Sequence, residues 1–284
     1  MAKTPDSFLD NVTASGIWWQ KTVEREHKQA DRLREANPLG DFWKPVAHRF
    51  APPKKGESGP DDTVDRLVEI TSPYDTVLDV GAGGGRLAIP IADHVSHVTA
   101  VEPSDSMRER LTTAANAWGQ TNVSVIGDRW EDTVVDPQDL VICAHVVYTV
   151  REIESFIRKL TDHSRKTVAL ISFERPATAM YLPLWEPIHG EERVELPALL
   201  QIRELLNALE IDFYETLLSE WIPRPFRTLE EAQQECETRL SVAPGTKKSE
   251  RLARVLENSL TEVEGGYRLK WALPHLPRII SWHP

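Results

Sequence analysis

The sequence predicts an α/β fold: a doubly wound, largely parallel sheet with helices packed on both faces. Two observations carry this. Short apolar runs alternate with amphipathic stretches from residue 76 to 173, and the first run ends in a glycine cluster, Gly81 to Gly85, before a helical segment. A strand that returns parallel to its predecessor needs a crossover helix, so sustained alternation implies right-handed βαβ units with both faces covered. The rhythm stops at Arg175-Pro176, where four prolines fall within residues 176–198.

Each element follows from its residues. Residues 17–34 read as a helix that Asn37-Pro38-Leu39-Gly40 ends. A short element at 42–50 precedes the linker-like 51–60, and Asp61 or Asp62 can cap a helix reaching Ile70. Strands are expected at 76–80, 97–102, 123–126, 139–144 and 167–173, with helices at 86–95, 104–118 and 153–160 between them. Beyond the proline-rich stretch, a helix at 199–209 and a strand at 211–221 are expected. Helices at 228–240 and 248–263 follow, then extended chain at 267–271 and 278–282. There is no internal repeat or low-complexity tract.

Composition narrows the function. The chain has 284 residues, 40% of them hydrophobic and 27% charged, enough for one catalytic-sized domain with accessory elements. Residues 1–60 hold ten Lys and Arg against eight Asp and Glu, and the remainder carries a net charge of −13. Such a body lacks the clustered cations that a nucleic-acid backbone requires. Cys143 and Cys236 have no metal-ligand spacing and form no disulfide framework, and no metal site is expected. The N-terminus lacks a signal-peptide apolar region and no apolar run reaches about 18 residues, so a cytoplasmic protein without membrane contact is expected.

The chemistry concentrates in Leu78-Asp79-Val80-Gly81-Ala82-Gly83-Gly84-Gly85-Arg86. Glycines between a strand and a helix let the backbone turn sharply and approach a ligand. A dinucleotide fingerprint would place a third glycine at position six, counting Gly81 as position one, where Arg86 stands instead. That disfavours a nicotinamide-dependent oxidoreductase. The pattern present is Asp-x-Gly-x-Gly-x-Gly, with Asp79, Gly81, Gly83 and Gly85.

With Glu102 closing the second strand twenty-one residues after Gly81, this pattern resembles the class I S-adenosylmethionine-dependent methyltransferases. The resemblance covers about residues 61–175 and implies a seven-stranded Rossmann-like sheet with one reversed strand and helical lid elements. It implies S-adenosyl-L-methionine as cofactor, with S-adenosyl-L-homocysteine as its product. Asp79 would hold the methionine amine, and Gly81, Ala82 and Gly83 would line the cofactor. Glu102 would accept the ribose hydroxyls, with Pro103 and Met107 beside it. Asp128 would take the adenine amine, with Arg129 giving a backbone N–H and Trp130 a wall; Ala144 and His145 would lie near the methionine end. Plainer readings stand beside these: Asp79 as a helix cap, Glu102 as a solvated strand end, Trp130 as core. The chain would divide into a helical lid and linker at 1–60 and a methyltransferase domain at 61–284, with a lid insertion at about 176–210.

His145 is the candidate general base, because its ordinary pKa is near neutrality and it follows the fourth strand, where open sheets bind ligands. Tyr148 is a second catalytic candidate that could instead pack, and His145 could equally shape the cofactor pocket. Cys143-Ala-His-Val-Val-Tyr148 lacks the Asn/Asp-Pro-Pro-Tyr/Phe motif of the amino-methylating enzymes, and no Pro-Cys nucleophile or acid cluster for Mg²⁺ is present. A small-molecule acceptor remains, walled by Trp18, Trp19, Tyr181, Trp185 and His189, in a monomer or homodimer. A non-catalytic cofactor-binding sensor is the competing class.

Overall fold

A computed structural model describes residues 12–35, 41, 43–44, 47, 50, 52–57 and 62–284. Much of the expected 42–50 element and 51–60 linker lies outside the described residues. The sheet strands are β1 (Thr76–Val80), β2 (His97–Val101), β3 (Val123–Ile126), β4 (Gln138–Ala144), β5 (Ser164–Phe173), β6 (Tyr214–Leu217) and β9 (Pro277–Trp282). They lie in the order β3-β2-β1-β4-β5-β9-β6. The first five pair in parallel, whereas β9 runs antiparallel to both β5 and β6. The fold is therefore the seven-stranded α/β sheet with one reversed strand that the resemblance implied.

Alternation along β1 sorts its side chains to two faces. Leu78 and Val80 join a core with α1 (Ala14–Leu33), α5 (Ile153–Asp162) and α7 (Leu199–Ala208). Val77 joins the opposite core with α2 (Thr63–Glu69), α3 (Ala88–Ile91) and α4 (Asp105–Trp118). Local signals set the helix ends. The Thr13 hydroxyl accepts from Gly16 N in α1, and the Ser104 hydroxyl accepts from Met107 N in α4, which Gly119 ends in a left-handed cap.

A third core lies apart from the sheet. It joins α6 (Leu182–His189), α8 (Leu229–Leu240), α9 (Lys247–Ser259) and the hairpin β7 (Leu260–Val263)–β8 (Gly266–Leu269) through Leu184, Trp185, Ile188, Cys236, Leu252 and Leu269. The expected helix at 248–263 stops at Ser259, because Leu260–Val263 pairs with β8. The expected helix at 86–95 contracts to Ala88–Ile91, since Gly83 to Leu87 form turns. The strand expected at 211–221 is confined to Tyr214–Leu217. Among the described residues, no helix is long and apolar enough to cross a membrane.

Candidate methyl-donor and acceptor site

The carboxyl ends of β1, β2, β4 and β5 converge where open parallel sheets take their ligands. Asp79 stands near the end of β1 at 2% exposure. One carboxylate oxygen accepts from the Ala88 backbone N–H; the other, Oδ2, is buried without a hydrogen-bond partner. Burial raises its pKa to about 7, Arg86 opposes that rise, and Glu102 adds to it. Buried polar atoms are almost always paired, so an orphaned carboxylate oxygen beside a glycine loop fits a ligand that brings a cation.

The loop contributes room more than donors. Gly81 N and Ala82 N both donate to Val101 O, at 2.8 and 3.1 Å, and Gly83 N donates to Glu102 Oε2 at 2.8 Å. The amides that a strand–helix turn offers to a ligand are thus engaged with the end of β2, and α3 begins only at Ala88. Gly81 and Gly83 both have positive φ, 75° and 56°. A Cβ on Gly81 would lie 2.3 Å from Val146 Cγ2, whereas one on Gly83 would meet nothing within 4 Å. Gly81 is required by packing; the space beside Gly83 is open.

Glu102 is 6% exposed and its carboxylate bridges two segments, accepting from Gly83 N and Ser104 N at 2.8 Å each. Burial raises its pKa against those two bonds. A carboxylate has about four lone-pair positions, so acceptor capacity remains for ribose hydroxyls. Asp41 is a neighbour that the sequence did not suggest: its Oδ2 accepts from Ser104 Oγ at 2.6 Å and Ser106 N at 2.8 Å. Pro103 is exposed, and Met107 is buried under the start of α4. Asp128 and Arg129 are exposed after β3, whereas Trp130 is 4% exposed in the sheet core. Trp130 packs edge-on to His163, and Lys159 Nζ lies 4.6 Å above its ring.

At the end of β4, Ala144 is half-buried and His145 takes a positive φ of 60°. Its Nδ1 lies 3.1 Å from the Tyr148 hydroxyl, which accepts from Phe173 N at 2.9 Å and contacts Ser172 Oγ at 3.2 Å. Ser172 Oγ also donates to Phe173 O at 3.0 Å. Ser172 Oγ thus donates into the pair, and the Tyr148 hydroxyl shares a proton with His145 Nδ1. Tyr148 itself is 7% exposed with a pKa pushed up to about 12 by burial, so it orients His145 and does not ionise near neutrality.

Most side chains of the expected acceptor wall are engaged in packing and internal bonds. Trp19 is 1% exposed in the sheet core, and its indole N–H donates to Val150 O at 2.8 Å, so packing between α1 and α5 accounts for it. Trp18 is half exposed. Tyr181 donates to Glu235 Oε1 at 2.7 Å, and Trp185 is covered by Arg193, whose guanidinium carbon is 3.8 Å from its ring centroid. His189 Nε2 donates to Leu240 O at 2.8 Å while Lys248 Nζ lies 3.3 Å from Nδ1. These three hold the third core together. Tyr181 and Trp185 also line a cavity of about 60 Å³ with Glu26, Arg193 and Arg239.

Other aromatic groups cluster at His145 through Phe173. Phe173 stacks on its ring at 4.2 Å, and Trp221 and His275 pack on Phe173 at 5.5 and 4.9 Å. Phe173 and Trp221 each close an expected strand; nothing local marks His275.

Residues 77–167 match the family model described as "Methyltransferase domain". The matched stretch, running from β1 into β5, is a methyltransferase domain. Relatives of the chain include the ubiquinone biosynthesis O-methyltransferase of Rickettsia felis, 29% identical over 165 residues, covering 52% of this chain and 67% of that protein. The one from Rickettsia akari is 26% identical over 154 residues, covering 49% of this chain and 59% of the relative. The match to the Rickettsia canadensis protein is 32% identical and covers 37% of this chain and 48% of the relative. The chain thus spans from about half to two thirds of the length of these relatives. Among solved structures, YcgJ of Bacillus subtilis superposes with a TM-score of 0.52 at 15% identity, over 77% of this chain and 95% of that one. A Bacillus halodurans protein does so with 0.52 at 14%, over 78% and 97%. These two likenesses establish a shared fold.

Proposed function

We propose that the chain transfers the methyl group of S-adenosyl-L-methionine to an oxygen of a small-molecule acceptor. The observation that carries this is the buried, unpartnered Oδ2 of Asp79 beside a glycine loop with open space at Gly83. When bound, the cofactor supplies an electrophilic methyl on a sulfonium and leaves as the neutral thioether S-adenosyl-L-homocysteine. The protein's own work is alignment and proton removal. Asp79 holds the α-amine, Gly81, Ala82 and Gly83 give close approach, and Glu102 accepts the ribose hydroxyls from its remaining lone pairs. Asp128 and Arg129 stand at the adenine edge. His145 takes the acceptor's hydroxyl proton, its ring held in place by the Tyr148 contact at 3.1 Å.

Methyl transfer to oxygen is supported by the Rickettsia relatives, which are named as O-methyltransferases. A small acceptor is supported by the net charge of −13 outside residues 1–60. We place the protein in the cytoplasm, on its two free, buried cysteines. We divide it into a lid and linker at 1–60 and a catalytic domain at 61–284; α6 and the segment to about residue 210 form the insertion. Calorimetric titration with S-adenosyl-L-homocysteine and separately with NAD tests the reading. The homocysteine compound binds and NAD does not; no homocysteine-compound binding overturns it. Binding without turnover across a metabolite extract and labelled cofactor would indicate the sensor.

A further inference from the structure

Four rings from four separate segments meet above the carboxyl ends of β4 and β5. His145 follows β4 and Phe173 ends β5, whereas Trp221 follows β6 and His275 precedes β9. The last two are tied directly, Trp221 N donating to His275 O and His275 N to Trp221 O, each at 2.8 Å. Because β9 is antiparallel to β5 with Phe173 opposite Pro277, chain entering β9 must come from above the carboxyl edge of the parallel strands. The reversed strand therefore delivers His275 to the ligand side of the sheet.

His275 has an unexplained feature. Its Nε2 is buried without a hydrogen-bond partner. Burial, helped by the nearby Arg175, lowers its pKa and keeps the ring neutral. An unsatisfied imidazole nitrogen costs free energy unless a partner arrives from outside the fold. Trp221 beside it is 38% exposed, so the cluster reaches the surface, and Leu273 two residues before His275 is 73% exposed. His145 and His275 both pack on Phe173, which brings two imidazoles within one small molecule's reach.

We propose that Trp221 and His275 form the acceptor-binding wall, and that the acceptor is a hydroxylated aromatic ring carrying a second hydrogen-bonding substituent. The ring packs against Trp221 and Phe173. The hydroxyl to be methylated lies at His145, and the second substituent bonds to His275 Nε2. Trp221 and His275 are positioning and specificity residues, and the inference rests on the methyl-transfer reading given above.

The test measures binding of phenol and of 1,2-, 1,3- and 1,4-dihydroxybenzene, with and without saturating S-adenosyl-L-homocysteine. At least one dihydroxybenzene binds about tenfold tighter than phenol. His275→Phe keeps the ring stack and removes the nitrogen, so it leaves phenol affinity within about twofold and abolishes that advantage. Trp221→Ala weakens phenol and dihydroxybenzenes alike. Both variants retain wild-type affinity for S-adenosyl-L-homocysteine, which reports an intact fold and donor site. The proposal is overturned if no dihydroxybenzene outbinds phenol, or if the advantage survives His275→Phe. Absence of S-adenosyl-L-homocysteine binding to the wild type is a different failure and overturns the donor reading itself.

Discussion

The proposed donor and acceptor halves of this molecule are built in different ways. The donor half is local: Asp79, the glycine loop and Glu102 lie within 24 consecutive residues, on two adjacent parallel strands. The acceptor half is assembled from Phe173, Trp221 and His275, spread over about a hundred residues and joined by the reversed strand β9. A local site leaves a sequence pattern; an assembled one leaves only isolated aromatics, indistinguishable in sequence from core residues. Trp19, Tyr181, Trp185 and His189 are such core residues, and variants at each half separate the two kinds of position.

The largest effect is expected at Trp19. Its side chain is 1% exposed and fills space among α1, α5 and α7, so Trp19→Ala should destabilise the fold by about 3–5 kcal/mol in urea titration. Trp19→Phe, which loses the bond to Val150 O, should cost about 1 kcal/mol and leave acceptor KM unchanged. A Trp19→Phe variant of full stability with a raised KM would return Trp19 to the acceptor wall.

Asp79 comes next, and its effects run in opposite directions. Its folded pKa of about 7 lies above the ordinary value of 3.8, so the folded state holds a proton that the unfolded chain releases. That contribution to stability is present at low pH and is lost as pH rises from about 4 to about 7. Asp79→Asn should therefore stabilise the cofactor-free protein above pH 7, while weakening S-adenosyl-L-homocysteine binding by about 1–3 kcal/mol. A carboxylate that must ionise to hold the amine makes wild-type affinity about tenfold higher at pH 8 than at pH 6, and Asp79→Asn flattens that profile. Calorimetry at both pH values decides it; a flat wild-type profile removes Asp79 from the amine site. Gly83→Ala should cost about 1 kcal/mol of stability for its positive φ, yet weaken cofactor binding about tenfold, because its methyl enters open space facing the ligand.

How far the sequence could be read follows the same division. The five parallel strands and the glycine turn between Asp79 and Glu102 were legible because each apolar run, loop glycine and strand-end acid acts within a few residues of itself. Donation from the loop amides was not legible: Gly81, Ala82 and Gly83 bond to Val101 and Glu102, a pairing set by β2 register. Nor was the third core, in which α6 meets α8 and α9 across some 60 residues of chain. The aromatic stretch around Tyr181 and Trp185 resembles a ligand wall in sequence because packing and binding use the same residue types. Only the partners distinguish them, and Glu235, Arg193 and Leu240 are those partners.

The smallest effect is expected at His189, where the two readings differ most in chemistry. With Nε2 donating to Leu240 O, the remaining lone pair is on Nδ1, and Lys248 Nζ approaches it at 3.3 Å. Burial, together with Lys248 and Arg193, lowers the pKa of this ring, so it stays neutral with both nitrogens engaged. Such a ring pins α6 to α8 and α9 and has no lone pair to offer an acceptor proton. His189→Gln can still donate to Leu240 O through its amide, and should change stability by no more than about 1 kcal/mol and kcat by less than about twofold. Loss of turnover at unchanged stability would instead make His189 the base. His145→Gln, measured in parallel, provides the contrast: it should abolish most turnover while S-adenosyl-L-homocysteine affinity holds, because removing the proton is the acceptor half's task and cofactor binding is the donor half's.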